Sequence, residues 1–228
     1  MTAPQQSAGH RHFHEDLTQL KQALLDMAAV SQNLIDLSIK ALLEHDRAAA
    51  EEVIAGDKRV NDLEVEIEQR AIKLLALQQP LARDLRFLVG AIKVSSDLER
   101  AGDHAVNIAQ SAVRLVDYGG RLTPAPEIED MARRSRLMLS QAVDAFIRAD
   151  GSLGREVCKA DDAVDALHDS VFRSLLTHMM ESARNITPSL ELLLVSRNLE
   201  RVADLATNIG EDAVYLAEGK QIKHHFED

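Results

Sequence analysis

One short stretch of this chain occurs twice, and the repeat limits what the chain can fold into. Residues 95–107 begin with Ser and contain Leu-Glu-Arg, and residues 196–208 do the same. Each copy places an Asp four residues after the Glu and an Asn four residues after that Asp. Residues four apart lie on the same face of a helix. The repeat therefore predicts a long helix in each half of the chain, with a row of polar side chains along it.

The acids of these rows occupy positions at which a soluble helix normally has apolar residues. Glu99 and Asp103 in the first copy, and Glu200 and Asp204 in the second, follow the alternating spacing of three and four residues that is typical of a contact between packed helices. An unpaired carboxylate is costly to bury. Each of these acids is therefore expected to be protonated, to pair with a neighbouring basic side chain or to bind a metal ion.

Composition narrows the class of protein. The chain has 228 residues, of which 46% are hydrophobic and only 3% aromatic, a balance that favours long helices over sheet. Its net charge of -11 argues against a nucleic-acid partner, because phosphates are bound by basic surfaces. A lone Cys158 excludes an intrachain disulfide, and we find no signal peptide or membrane-spanning apolar run. These features predict a cytoplasmic protein.

Apolar periodicity predicts six long helices, three in each half. Matching positions in the two halves are 104 residues apart in the middle helices and 101 apart in the repeated motif. The predicted fold is therefore all-α, with two tandem three-helix bundles related by internal duplication. The predicted boundaries are a flexible N-terminal tail at 1–14, a first bundle at 15–120, a linker at 121–126, a second bundle at 127–219 and a C-terminal tail at 220–228.

A second row of polar side chains lies on the middle helix of each half. Asp57 and Asn61 in the first half correspond to Asp161 and Asp165 in the second. Antiparallel packing of the middle and last helices can bring the two rows face to face. Oxygen-rich side chains in one groove suit Mg, Mn, Ca or Fe rather than a structural zinc ion. The alternative interpretation is that these four residues lie on exposed, solvated helix faces.

No catalytic motif accompanies the acids. Ferritin-like di-iron enzymes also carry carboxylates in a helical bundle, but they need Glu-x-x-His on each of two helices. This chain has no such motif, and Asp165-x-x-His168 is the nearest match. We therefore predict that the protein is not an enzyme. A carboxylate-bridged metal oxidase and a purely structural helical scaffold, in which the acids pair with arginines, are the alternatives.

Taken together, these residues resemble the PhoU family over nearly all of residues 15–219. The motifs that carry the resemblance are Gly56-Asp57-x-x-Val60-Asn61-x-x-Glu64, Pro80-x-x-x-Asp84-Leu85-Arg86, Leu98-Glu99-Arg100-x-Gly102-Asp103, Met179-Met180-Glu181 and Glu200-Arg201-x-x-Asp204. The family implies a pair of three-helix bundles whose acidic motifs hold metal ions, in some members as iron or zinc clusters. For this chain the expected ion is Fe, Mn, Mg or Zn. By this resemblance the metal-ligand candidates are Glu99, Asp103, Glu200, Asp204, Asp57, Asp161 and Asp165.

The chain departs from the family pattern at two positions. Ala203 stands where a Gly usually precedes the second Asp, which adds a methyl group at a close-packed position. Asn61 stands in place of an acid. By charge count the first-half site is therefore expected to be the weaker metal site of the two.

The resemblance also implies a regulatory function. Members of the family act at the cytoplasmic face of the inner membrane, beside the ATPase subunit of the phosphate ABC transporter and the phosphate-sensing histidine kinase. When phosphate is plentiful they keep the starvation response off and restrain uptake. We therefore expect a metal-binding adaptor that forms a homodimer and negatively regulates phosphate uptake. Because the chain is acidic, it is expected to reach the membrane through partner proteins rather than through anionic lipid.

Overall fold

The computed structural model describes residues 4–78, 80–119 and 124–222, and every element in those ranges is helical. The long helices are α1 (Pro4–Glu44), α2 (Arg47–Gln78), α3 (Ala82–Asp117), α4 (Pro126–Arg148), α5 (Gly151–Glu181) and α6 (Ile186–Glu218), with a 3-10 turn at Ala183–Asn185 before α6. The first three helices pack against one another, and so do the last three. The predicted pair of three-helix bundles is confirmed.

The helices end where the local sequence opposes further turns. α2 ends at Gln78, two residues before Pro80, which has no N–H to donate to a helix. α4 is followed by Ala149 in the left-handed conformation at φ 52°. α6 ends before Gly219 at φ 73°, a conformation that glycine adopts without steric cost.

The first helix begins earlier than predicted, because the backbone is helical from Pro4. The observed α1 therefore overlaps the tail predicted at residues 1–14 from Pro4 onwards. Phe13 is buried and lies four residues before Leu17 and seven before Leu20, so it extends the apolar face of α1. The polar residues around Phe13 conceal that face in the sequence.

Two other predicted boundaries fall partly outside the described residues. Of the linker predicted at 121–126, positions 121–123 lie outside them, and Pro126 is already the first residue of α4. Of the C-terminal tail, residues 220–222 have no helical structure and residues 223–228 lie outside the described range.

The two bundles are joined mainly by α3 and α6. Along this contact the residue numbers increase on α3 while those of the contacting residues on α6 decrease, so the two helices are antiparallel. Polar contacts between them include Lys93 Nζ to Asp212 Oδ1 (3.1 Å), His104 Nδ1 to Asn198 Oδ1 (2.8 Å) and Arg114 Nε to Glu191 Oε1 (2.8 Å).

A buried aromatic ring on α4 fills space between the bundles. Phe146 is fully buried, and its ring stacks on Phe87 of α3 with the ring centroids 5.4 Å apart. Gly90 of α3 leaves room for it, since a Cβ atom at that position would lie 2.6 Å from the ring. The bundles therefore share one continuous core.

The contacts between helices define two layers. The helices α2, α3, α6 and α5 lie side by side in that order, and α1 and α4 pack behind them and against one another. The groove between α2 and α3, like the groove between α5 and α6, is therefore covered on one side and open on the other. Within the described ranges, no helix is both long and apolar enough to span a bilayer.

Candidate metal-binding clusters

The groove between α2 and α3 holds a group of polar side chains that we call the first acidic cluster. Its members on α2 have the spacing i, i+4 and i+7, which places them on one face of that helix. The members are Asp57, Asn61 and Glu64 on α2 with Glu99 and Asp103 on α3. Gly102 of α3 lies beside this group, and a Cβ atom at Gly102 would make ordinary van der Waals contact with Asp57 Oδ1 at 3.6 Å.

Burial and mutual repulsion act on the carboxylates of the first acidic cluster. Burial raises the pKa of Glu99, and the charges of Asp103 and Glu64 raise it further. Burial also raises the pKa of Asp103, with Asp57 as the next cause. Glu64 has a pKa raised by burial, although a hydrogen bond with Ser96 opposes the shift. These shared causes show that the side chains of α2 and α3 face one another.

The groove between α5 and α6 holds an equivalent group, the second acidic cluster. Its members are Asp161, Asp165 and His168 on α5 with Glu200 and Asp204 on α6. Burial raises the pKa of Asp161 to about 7, and the charges of Asp165 and Asp204 contribute next. Burial is also the main cause of the raised pKa of Glu200, followed by the charge of Asp204. The structure therefore brings all seven predicted metal-ligand candidates into two clusters, one in each half.

Each cluster contains a carboxylate oxygen that is buried without a hydrogen-bond partner. These atoms are Asp57 Oδ1 and Asp161 Oδ1, at matching positions of the two halves. In the first cluster the other oxygen, Asp57 Oδ2, accepts a hydrogen bond from Asn61 Nδ2 at 3.0 Å. A buried acceptor without a donor is unfavourable. A proton or a cation in the groove would remove that cost at both positions.

The donor atoms fit a hard or borderline cation, because they are carboxylate oxygens with one imidazole. Within the described residues, no three His, Cys, Asp or Glu side chains are already grouped closely enough to hold an ion. A bound ion would therefore draw the carboxylates of the facing helices closer together. Asp103 and Asp165 lie at the exposed edge of the grooves, where partial burial already raises the pKa of each, so they have room to move inward.

Two residues of these clusters are missing from the candidates predicted by sequence. Glu64 lies in the first acidic cluster, and the matching position in the second is His168. Glu64 lies seven residues after Asp57, and His168 lies seven residues after Asp161. Residues seven apart share one face of a helix, so this spacing could have identified both. With Glu64 included, each cluster has four carboxylates. By carboxylate count the two clusters are therefore equal.

His168 is held in a defined orientation beside the acids. Its Nδ1 atom lies 2.5 Å from the hydroxyl oxygen of Ser196, which is fully buried on α6. The charge of His168 lowers the pKa of Asp165 and of Glu200, in both cases against the larger effect of burial. The ring nitrogen that does not contact Ser196 is therefore the one available to the acidic cluster.

Arginines pair with the cluster acids in one half only. In the second half Arg201 contacts Asp204 Oδ2 at 2.6 Å and Glu200 Oε2 at 3.5 Å. The matching Arg100 contacts Asp97 at 3.6 Å instead. Direct pairing of the seam acids with an arginine is thus seen in the second half, whereas Arg100 pairs with Asp97 and acts on the first acidic cluster through its charge, which opposes the raised pKa of Glu99.

The chain is similar to known proteins over nearly its whole length. The family model described as PhoU domain matches residues 24–112 and 128–213. A protein from Aquifex aeolicus (strain VF5), named phosphate-specific transport system accessory protein PhoU homolog, is 41% identical over 210 residues, which are 92% of this chain and 95% of that protein. A protein of the same name from Rhizobium meliloti (strain 1021) is 35% identical over 92% of this chain and 88% of its own length.

Solved structures show the same architecture. The crystal structure of PhoU from Pseudomonas aeruginosa matches with a TM-score of 0.87 at 33% identity, covering 91% of this chain and 100% of that one. The structure of the phosphate transport system regulatory protein PhoU from Streptococcus pneumoniae matches with a TM-score of 0.85 at 29% identity, covering 92% and 98%.

Proposed function

The chain belongs to the PhoU family, and from that membership we propose that it is an accessory regulator of phosphate-specific transport. The proposal is supported by relatives that match it nearly end to end and are named as accessory proteins of the phosphate-specific transport system. It is also supported by the architecture, in which two bundles share one core and present two grooves on the open side of one layer. Such a rigid helical body suits an adaptor between larger proteins.

We propose further that the protein acts negatively, restraining uptake and the starvation response when phosphate is plentiful. The partners in this proposal are the ATPase subunit of the phosphate ABC transporter and the phosphate-sensing histidine kinase. The site of action is the cytoplasmic face of the membrane, reached through those partners. The assembly that we propose for the protein itself is a homodimer.

The acidic clusters are the proposed metal sites. The residues that would hold an ion are Asp57, Glu64, Glu99 and Asp103 in the first cluster and Asp161, Asp165, His168, Glu200 and Asp204 in the second. An ion there would supply positive charge that offsets the repulsion of the facing carboxylates and links the middle helix of each half to the last one. Asn61 supports this role in the first half by orienting the Asp57 carboxylate.

We propose a structural or signalling role for these ions, not a catalytic one. The single imidazole of the clusters is tied to Ser196, and that hydroxyl is fully buried. Ser196 is therefore inaccessible to a substrate and is better suited to fixing the orientation of His168. The ion itself could be Fe, Mn, Mg or Zn, since all four accept carboxylate oxygens.

The observation that carries the proposal is the repetition of the cluster. Acids face one another between the middle and last helices of both halves, and in both halves the same Asp has a buried oxygen without a partner. Charged side chains that serve only solubility normally lie on exposed surfaces, so they do not explain acids at matching positions of a helix contact in both halves.

The test is a phosphate-starvation reporter, such as secreted phosphatase activity, in cells grown with ample phosphate. Deletion of the gene is expected to raise the reporter, and the wild-type gene on a plasmid should return it to the low level. A plasmid variant with Glu99→Gln, Asp103→Asn, Glu200→Gln and Asp204→Asn should restore less repression if the clusters matter to regulation. Equally low output with and without the gene, in a strain that has no second copy, would contradict the regulatory role.

A further inference from the structure

The two acidic clusters differ in the atoms that they offer to a metal ion. Glu64 of α2 and His168 of α5 occupy matching positions, 104 residues apart, so one cluster has a carboxylate where the other has an imidazole. Carboxylate oxygens suit hard cations such as Mg²⁺, Ca²⁺ and Mn²⁺, whereas an imidazole nitrogen suits borderline ions such as Zn²⁺ and Fe²⁺. This matched position therefore bears on which ion each cluster would take.

The second acidic cluster holds its imidazole in an orientation that suits a metal ligand. His168 Nδ1 lies 2.5 Å from the hydroxyl oxygen of Ser196, which is fully buried on α6. When Nδ1 carries the ring proton and donates it to Ser196, Nε2 keeps its lone pair, which is the usual arrangement of a metal-ligating histidine. The charge of His168 acts on Asp165 of α5 and on Glu200 of α6. The imidazole is therefore within electrostatic range of acids on both helices.

The buried serine is repeated in the first half, but it makes a different contact there. Ser95 matches Ser196, and its hydroxyl donates to the carbonyl oxygen of Ile92 on its own helix at 2.9 Å. Glu64 has a hydrogen bond with the neighbouring Ser96 instead. The hydroxyl of Ser196 reaches across the groove to α5, where the facing residue is a histidine. This difference between the halves indicates that Ser196 has the role of orienting an imidazole.

The first acidic cluster offers only oxygen atoms. Asn61 adds an amide carbonyl to the four carboxylates, and its Oδ1 atom is buried without a hydrogen-bond partner. The same is true of Oδ1 of Asp57, the residue to which Asn61 is hydrogen-bonded. A hard cation binds both carboxylate and amide oxygens, so it would satisfy two neighbouring acceptors that lack a donor.

Arg201 makes the second acidic cluster less attractive to a hard cation. It contacts Asp204 Oδ2 at 2.6 Å and Glu200 Oε2 at 3.5 Å, so part of the negative charge of this cluster is already neutralised. A hard cation depends on that charge, whereas a borderline ion also gains from the imidazole nitrogen. Charge and donor type therefore favour the same difference between the clusters.

We propose that the two clusters select different cations and that His168 sets the difference. The first acidic cluster takes a hard ion of the Mg²⁺, Ca²⁺ or Mn²⁺ class, and the second takes a borderline ion of the Zn²⁺ or Fe²⁺ class through His168 Nε2. Ser196 is a positioning residue that holds the ring. This inference rests on the proposal that the clusters bind metal, and it adds the class of ion that each of them binds.

The test compares Zn²⁺ with Mn²⁺ at each cluster of the full-length protein. Glu99→Gln/Asp103→Asn leaves only the second cluster, and Glu200→Gln/Asp204→Asn leaves only the first. Equilibrium dialysis gives the dissociation constants of both ions, and the fourfold variant provides the baseline for metal bound by other histidines. The ratio of the Mn²⁺ constant to the Zn²⁺ constant should be about tenfold higher at the second cluster than at the first.

Exchange of the matched residues should transfer the preference. In the protein that keeps only the second cluster, His168→Glu should lower this ratio about tenfold, and Glu64→His should raise it in the protein that keeps only the first. Ser196→Ala should weaken Zn²⁺ binding about tenfold with little change for Mn²⁺, because it frees the ring without removing a carboxylate. The matched control is His178→Gln, which removes another imidazole from α5 and should leave the ratio unchanged.

Nitrogen NMR of the imidazole rings identifies the bound atom. Addition of Zn²⁺ should shift Nε2 of His168 while Nδ1 stays protonated, and the signal that is missing in His168→Gln assigns this ring among the nine histidines of the chain. An unshifted Nε2, or the same ratio at both clusters, would overturn this inference and leave the proposed metal sites in place. A wild-type protein that binds neither ion at either cluster would overturn both.

Discussion

The two acidic clusters occupy matching places in the two halves, but their side chains differ. The first cluster contains Asn61 and Glu64, whereas the second has Asp165 and His168 at the same positions. The acid that is lost at one position is regained one turn later, so each cluster keeps four carboxylates. The comparison suggests that the amount of negative charge in the groove is retained while its position along the helix varies.

The two halves also differ in how closely the helices that carry the clusters approach one another. In the second half, Gly154 and Gly210 bring the backbones of α5 and α6 together, since a Cβ atom on Gly154 would lie 2.6 Å from the Gly210 carbonyl oxygen. The matching residues of the first half are Ala50 and Ala109, both fully buried. The second groove is therefore the narrower one at this crossing.

The largest expected effect is a difference in stability between Gly→Ala substitutions in the two halves. Gly154→Ala should destabilise the protein by about 1–3 kcal/mol, because the added methyl group meets backbone rather than a movable side chain. Gly102→Ala adds a methyl group 3.4 Å from Val60 Cγ1, which is ordinary contact, and alanine favours a helix. It should stabilise the protein by up to about 1 kcal/mol, because alanine has the higher helix propensity.

Urea unfolding measures the free energy of unfolding of both glycine variants, and its slope against urea concentration (the m-value) should not change. An equal loss of stability in the two variants would contradict the difference in helix approach.

The stability of the protein is expected to depend on pH through Asp161, the partly buried acid of the second acidic cluster. The pKa of Asp161 is raised to about 7 in the folded protein, so the folded state binds its proton more tightly than the unfolded state does. The stability from this proton is fully present below about pH 4 and is lost as the pH rises towards 7. Metal-free wild type should therefore lose stability relative to Asp161→Asn over that range.

The expected loss at pH 8 is about 1–2 kcal/mol, reduced by solvent because Asp161 is only about half buried. Thermal unfolding of both proteins in a chelating buffer at pH 5 and pH 8 measures it. Asp162→Asn removes a charge from the exposed neighbour and serves as the control. A stability difference between wild type and Asp161→Asn that does not change with pH would contradict the raised pKa.

The smallest expected effect concerns the arginines. Arg201→Gln removes a cation that contacts Glu200 and Asp204, so a metal ion should bind the second cluster about threefold more tightly. Arg100→Gln should have a smaller effect on the first cluster, because Arg100 contacts Asp97. Calorimetric titration with Mn²⁺ compares the two variants. A larger gain for Arg100→Gln would reverse this part of the comparison.

Much of the fold could be predicted because it depends on local signals. Apolar spacing identifies six helices, Pro80 and Gly219 mark helix ends, and the repeat relates the halves. The start of α1 could not be predicted in the same way, because the apolar face extends beyond Leu17 by the single residue Phe13.

The contacts between the bundles depend on residues far apart in the chain. Lys93 lies six residues before Glu99, but it pairs with Asp212, which is 119 residues away. His104 follows Asp103 and does not join the first acidic cluster; it contacts Asn198 and so links α3 to α6. Periodicity predicts which face of a helix is buried, but it does not predict which helix covers that face.

The most direct test of the central claim is metal binding measured separately for each cluster. Equilibrium dialysis against Mn²⁺ at pH 8, followed by elemental analysis, would compare wild type with Glu99→Gln/Asp103→Asn, with Glu200→Gln/Asp204→Asn and with all four substitutions. Each double variant should lose the metal of its own half, and the fourfold variant should bind none while circular dichroism shows an intact helical fold. A folded fourfold variant that binds as much metal as wild type, or a wild type that binds none, would contradict the claim that these clusters are metal sites.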